Sequence, residues 1–241
     1  MAIAALPPSF PALPRGDPAA RAHLDQVAGR GAPLVLARER VLAVPGPLGA
    51  LLPGGALQRG TVATVDGVPG AGVTSLALGL AAAATAAGEW AAAVDLSGTL
   101  GGLAAAEAGV ELSRFAVVRD VPNDRWATVV AALLDGVSLV MADIPRGLRA
   151  ADARRLVARA RERATVLVMV SASARAWPAD AVLRLRAEGG TWPGLEPGRG
   201  VLAPRPLRLR IEGRGITPGV LTADVLTAGE RSTGAALALT G

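Results

Sequence analysis

The sequence predicts an α/β protein built on a mostly parallel sheet flanked by helices, with antiparallel strands at its C-terminal end. Three observations lead there. From Thr61 onward, short apolar runs alternate with longer helical stretches, the pattern of a strand–helix–strand chain whose strands are covered on both faces. A glycine-rich turn over residues 67–74 joins the first of these strands to the first helix. After Trp177, residues 182–186 and 206–211 alternate apolar residues with arginine, the period of strands half open to solvent.

The elements follow in order. Residues 1–16 are rich in proline and read as an extended arm. A short helix is expected over 17–29, with Asp17 as N-cap, Pro18 at the first helical position and Gly29 closing it. A strand is expected within 34–44. These pieces make an N-terminal arm, 1–45. The core, 46–220, opens with a loop-rich stretch that runs to Gly60. Strands are predicted at 61–65, 91–94, 114–118, 138–142 and 165–170, each a short apolar run. Helices are predicted between them at 73–87, 100–108, 124–134 and 150–163. Residues 221–241 hold Ala, Thr, Gly and Leu without strong periodicity and are expected to form a flexible tail.

Composition narrows the chemistry. A length of 241 residues suits one medium domain with extensions. Hydrophobic residues make up 51% but aromatics only 2%, so the core must be filled by Leu, Val and Ala. Cysteine is absent and His23 is the single histidine, which excludes disulfides, thiolate or histidine metal sites and Ser-His-Asp catalysis. Every basic residue is Arg. The net charge of +5 admits an acidic or nucleic-acid partner, and equally fits a G+C-rich coding background. The uncharged run 67–88 is interrupted by Pro69 and several glycines and is flanked by strand-like segments, which argues against a membrane span. A cytoplasmic location is expected.

Residues 67–74, Gly67-Val68-Pro69-Gly70-Ala71-Gly72-Val73-Thr74, fit the phosphate-binding pattern G-x-x-x-x-G-K-[ST] everywhere except the lysine, where Val73 stands. Gly70 and Gly72 permit the backbone of a phosphate cradle, and a helix N-terminus favours an anion. The neutralising charge is missing, and no lysine elsewhere can supply it. A tight turn with no ligand is the alternative reading. A second feature, residues 137–143, is an apolar run ending in Asp143, as a strand carrying a magnesium-orienting aspartate does.

Together with the lead-in Leu51-Leu52-Pro53-Gly54-Gly55-Ala56-Leu57-Gln58-Arg59-Gly60, these segments resemble the RecA-like ATPases over roughly residues 45–212. Residues 90–95 are similar to the family's next strand, with Asp95 present but Ser97 in the place of its catalytic glutamate. The resemblance therefore implies a degenerate core without catalytic residues or a resident cofactor, residual ATP and magnesium binding at Thr74 and Asp143 being the alternative. Within the superfamily the chain looks like the ImuA-type, SulA-like group, in particular its actinobacterial ImuA-prime members. That likeness implies a scaffold in the SOS response: DNA repair by translesion synthesis and mutagenesis, beside an ImuB-like Y-family polymerase homologue and an error-prone C-family polymerase. A nucleotide-binding switch without hydrolysis and a SulA-like cell-division inhibitor are the other readings.

Contact surfaces are less sharply marked. Residues 1–45 could dock on a second copy or on their own core. The predicted helix 150–163 carries five arginines, which read as a solvated face before they read as a patch. Arg184, Arg186, Arg208 and Arg210 fall on one face of the two alternating strands and are candidates for contact with an acidic partner or nucleic acid. Compensation by Glu188 and Glu212 is the competing reading.

Overall fold

The computed structural model of the protein describes residues 40–172, 176–189, 195–196, 199–200, 207–213 and 219–223. The expected helix 17–29 and all but three residues of the expected tail lie outside them.

The described chain begins with β1 (Val41–Ala43), α1 (Gly46–Ala50), a 3-10 turn at Pro53–Gly55 and β2 (Ala56–Gln58). β1 and β2 pair antiparallel as a separate ribbon, Leu42 opposite Leu57. The lead-in to the core thus folds back on itself. The alternating region then gives β3 (Val62–Gly67), α2 (Val73–Ala86), β4 (Ala91–Val94), α3 (Gly102–Glu107), β5 (Phe115–Val118), α4 (Trp126–Gly136), β6 (Leu139–Asp143), α5 (Ala150–Arg163) and β7 (Val166–Ser171). The C-terminal strands are β8 (Leu183–Ala187), β9 (Leu195–Glu196), β10 (Arg199–Gly200), β11 (Leu207–Gly213) and β12 (Gly219–Ala223).

Eight strands form the main sheet in the order β12-β11-β8-β3-β7-β6-β4-β5. From β8 to β5 every pair is parallel, while β11 runs antiparallel to both β8 and β12. This is the expected α/β arrangement. β8, read from its arginine alternation as a partner of the later strand, also joins the parallel block through β3.

Side-chain alternation on β3 divides the core. Ala63 and Val65 point to one face, where α2 supplies Leu76, Ala77, Leu80 and Ala81. Val62 points to the other, where α4 and α5 supply Trp126, Val130, Leu134 and Leu156. Trp126 is wholly buried. Each buried leucine contributes about 2 kcal/mol relative to exposure. The abundant alanines of α2 and β4 keep helix and sheet close, so the low aromatic content costs little packing.

One helix start differs from the sequence reading by a physical cause that is visible, and one helix end that agrees with it has a visible cause too. α3 begins at Gly102 rather than Leu100, because the Asp95 carboxylate takes the Thr99 and Leu100 amides and holds them in a loop. α5 stops at Ala164, a non-glycine residue in the left-handed conformation (φ 53°). Among the described residues no helix is long and apolar enough to cross a membrane.

Candidate functional site

The carboxyl edge of the parallel sheet carries the residues singled out above. The turn Gly67–Val73 leaves β3 there, Asp95 follows the last residue of β4, and β6 ends at Asp143. β7 alone separates the strand bearing the turn from the strand bearing Asp143.

The turn has the backbone that its glycines allow. Gly72 is left-handed (φ 97°) and caps α2, and the Ala71 N–H donates to the Val68 carbonyl at 3.0 Å, which closes the bend. A Cβ at Gly67 would lie 2.6 Å from the Ala187 carbonyl oxygen and 2.9 Å from Val73 Cγ2, so only glycine fits. That second contact fixes where Val73 goes. Its side chain is 3% exposed and belongs to the core on the α2 face, while Thr74 beside it is exposed. At the lysine position, then, an apolar side chain anchors the loop from beneath. Gly70, also left-handed (φ 77°), lies at the exposed crest.

The two aspartates bind to the loop after β4. Asp143 Oδ2 accepts the Leu96 N–H at 2.9 Å and the Ser97 N–H at 3.3 Å. Ser97 Oγ donates to Asp95 Oδ1 at 3.0 Å, pairs with Thr99 Oγ1 at 2.8 Å and lies 3.4 Å from Asp143 Oδ2. Asp95 Oδ2 accepts the Leu100 N–H at 3.0 Å and Arg119 Nε at 3.1 Å, and Arg119 also donates to the Leu100 carbonyl. Burial alone would raise the Asp95 pKa; the hydrogen bonds from Leu100, Arg119, Ser97 and Thr99 outweigh it and hold the carboxyl below its ordinary value. Asp143 goes the other way. Burial, reinforced by the Asp95 charge, keeps its carboxyl above the ordinary value despite the two amide hydrogen bonds.

This network ties the β4, β5 and β6 ends together, and no hydrogen bond links Asp143 with Thr74. Among the described residues no group of three or more His, Asp or Glu side chains could hold a metal ion. Arg119 escaped the sequence reading. Its signal was register: Val94 pairs with Val118, so the residues that follow them, Asp95 and Arg119, emerge side by side.

The four candidate arginines do share a sheet face. Arg210 lies opposite Arg186, Arg184 opposite Glu212, and Arg208 is exposed one row further on. Compensation is partial: Arg210 pairs with Glu188 at 2.9 Å and Arg186 with Asp66 at 3.6 Å. Among the described residues Arg184, Arg208 and Glu212 form no ion pair. On α5, Arg159 and Arg163 both reach Asp135 on α4, and Arg155 reaches Asp152, so much of that helix's charge is met locally.

The same sheet face holds a cavity of about 360 Å³, floored by β3, β7 and β8 and walled by Trp177. Thr64, Asp66, Arg184, Arg186 and Glu212 line it. Thr64 is 4% exposed and, among the described residues, its hydroxyl has no hydrogen-bond partner. An isolated threonine in an apolar strand gave no sign of this in the sequence.

These features define a class: an α/β protein with a phosphate-loop-shaped turn whose charged position is occupied by a core side chain. The chain belongs to the family of the MT3502 N-terminal domain, whose model matches residues 50–179. That span holds the turn, Asp95, Ser97, Arg119, Asp143 and Trp177, and ends before β8 and its arginines. A curated relative, the uncharacterized protein Rv3395c of Mycobacterium tuberculosis, is 39% identical over 139 residues, which cover 56% of this chain and 65% of that protein.

Proposed function

We propose that the chain is a non-catalytic accessory protein of a DNA-damage-induced translesion-synthesis complex. In this reading it is a degenerate RecA-like core that binds an ImuB-like Y-family polymerase homologue beside an error-prone C-family polymerase, in the cytoplasm and at the nucleoid. The observation that carries the non-catalytic part is Val73, buried against Gly67 where a lysine would meet phosphate. The engagement of Asp143 by the Leu96 and Ser97 amides supports it, because the carboxylate braces a loop. The partner and pathway rest on the resemblance of the 51–60 lead-in and the eroded loop to the ImuA-type group.

Two measurements test the reading. Titration of the full chain with a fluorescent ATP analogue and magnesium is expected to show no saturable binding. Co-expression with an ImuB-like homologue is expected to co-purify the pair. Tight nucleotide binding would overturn the scaffold in favour of a nucleotide-gated switch, the reading favoured by the exposed Thr74 at the α2 N-terminus. Recovery of a division protein in place of the polymerase homologue would favour the SulA-like alternative.

A further inference from the structure

The cavity beside β8 is separate from the phosphate-loop-shaped turn in its chemistry. Its floor follows the strand register. Met169, Thr64, Arg184 and Glu212 lie in one row across β7, β3, β8 and β11, with Ser171, Asp66, Arg186 and Arg210 in the next. In the second row Asp66 meets Arg186 and Arg210 meets Glu188. In the first row, among the described residues, the Thr64 hydroxyl is buried without a hydrogen-bond partner, and Arg184 and Glu212 face each other in register without an ion pair. A buried hydroxyl left unpaired is costly, and native proteins rarely leave one so unless something else completes it. Ile144, Met169 and Trp177 supply an apolar wall beside these three groups.

We infer that this cavity receives an acidic side chain, a carboxylate on an apolar stem, from a peptide segment of a protein partner. The carboxylate accepts from the Thr64 hydroxyl and the Arg184 guanidinium, a charge-assisted arrangement stronger than a neutral pair. Its aliphatic stem lies against Trp177 and Ile144, and Glu212 accepts a peptide N–H. Arg208, exposed on the same sheet face and without an ion pair among the described residues, extends the positive strip for a further acidic residue. A nucleic acid fits less well. Asp66 and Glu212 sit in the cavity and would repel each of a run of successive phosphates, whereas a peptide brings a single carboxylate that lies beside Arg184. The inference takes from the preceding reading only that the chain works by binding a protein.

The test uses the full chain and a fluorescein-labelled hexapeptide with a central Leu-Glu pair, followed by anisotropy. Beside it run the same peptide with Gln for Glu and a single-stranded oligonucleotide of twelve thymidines. The glutamate peptide is expected to bind, and the glutamine peptide to bind about tenfold more weakly. Thr64→Val and Arg184→Gln are each expected to cost about tenfold, while Arg155→Gln on α5 changes nothing. Thr64→Val also separates a ligand role from a structural one: its thermal midpoint should not fall, since the hydroxyl makes no bond in the free protein. Equal binding of the two peptides, no binding at millimolar peptide, or a lowered Thr64→Val midpoint would each overturn the inference. Oligonucleotide binding lost in Arg184→Gln would overturn it too, assigning the site to nucleic acid. Peptide binding of the expected pattern without co-purification of a polymerase homologue supports the cavity and sinks only the preceding proposal.

Discussion

Ser97 stands between two carboxylates whose proton affinities are displaced in opposite directions. Asp95, held below the ordinary aspartate value of about 4, contributes stability above that value and loses it as pH falls through its depressed folded value. Asp143 is raised, so folding favours its protonated form. Its contribution is full below about pH 4 and is lost as pH rises through the folded value. Among the described carboxyls displaced from their ordinary values, Asp143 is the one whose contribution declines as pH rises. Asp143→Asn should flatten that decline, measured as urea midpoints at pH 5 and pH 7; an unchanged pH dependence would refute the assignment. Asp95→Asn places an amide among four donors and should destabilise by about 2 kcal/mol at neutral pH. Both aspartates and Ser97 were legible in the sequence, because each ends or follows an apolar run. Arg119 and Thr64 were not. Their roles come from cross-strand neighbours, and a single chain does not reveal register until the sheet order is known.

At the scale of elements, the reading succeeded where periodicity was uninterrupted. Ala91–Val94 and Ala150–Arg163 were placed to the residue, since an all-apolar run and an arginine-flanked amphipathic run leave few alternatives. It slipped where a side chain captured backbone amides, as Asp95 does at the start of α3. The turn between β3 and α2 was legible in outline, yet its most informative feature, the inward course of Val73, depends on how closely β3 approaches β8. Gly67→Ala tests that closeness. The added methyl meets a backbone oxygen of β8, which cannot swing away as a side chain can, and should cost roughly 1–3 kcal/mol in chemical denaturation. Ala164→Gly tests the opposite case. It relieves a left-handed alanine at the α5 C-terminus and should raise stability by up to about 1 kcal/mol; a loss would refute the strain.

At the scale of the molecule, the described core is an eight-stranded sheet with its most buried strands in the middle and two unlike rims. β5 forms one edge and β12 the other, while β3, β7 and β6 have neighbours on both sides. Native-state hydrogen exchange should therefore protect the β3, β7 and β6 amides most and those of β5 and β12 least. Uniform protection across the sheet would contradict this order. The two core layers also differ in grain. Leucine and alanine fill the layer beneath α2, whereas Trp126 and Trp177 anchor the opposite layer. The sequence announced the alanine-rich layer through its composition, but placing the tryptophans required the fold.

Strand order has a consequence for synthesis. β3 leaves the ribosome first among the parallel strands, yet its partners are β7 and β8: Val62 pairs with Leu167, and Ala63 with Leu183. β4 and β5, by contrast, pair soon after they emerge. For most of translation the central strand is bare on both edges, its apolar residues exposed to other nascent chains or to a chaperone. A polypeptide interrupted anywhere between β3 and β7 keeps that strand open indefinitely, so premature termination in this region leaves an aggregation-prone chain.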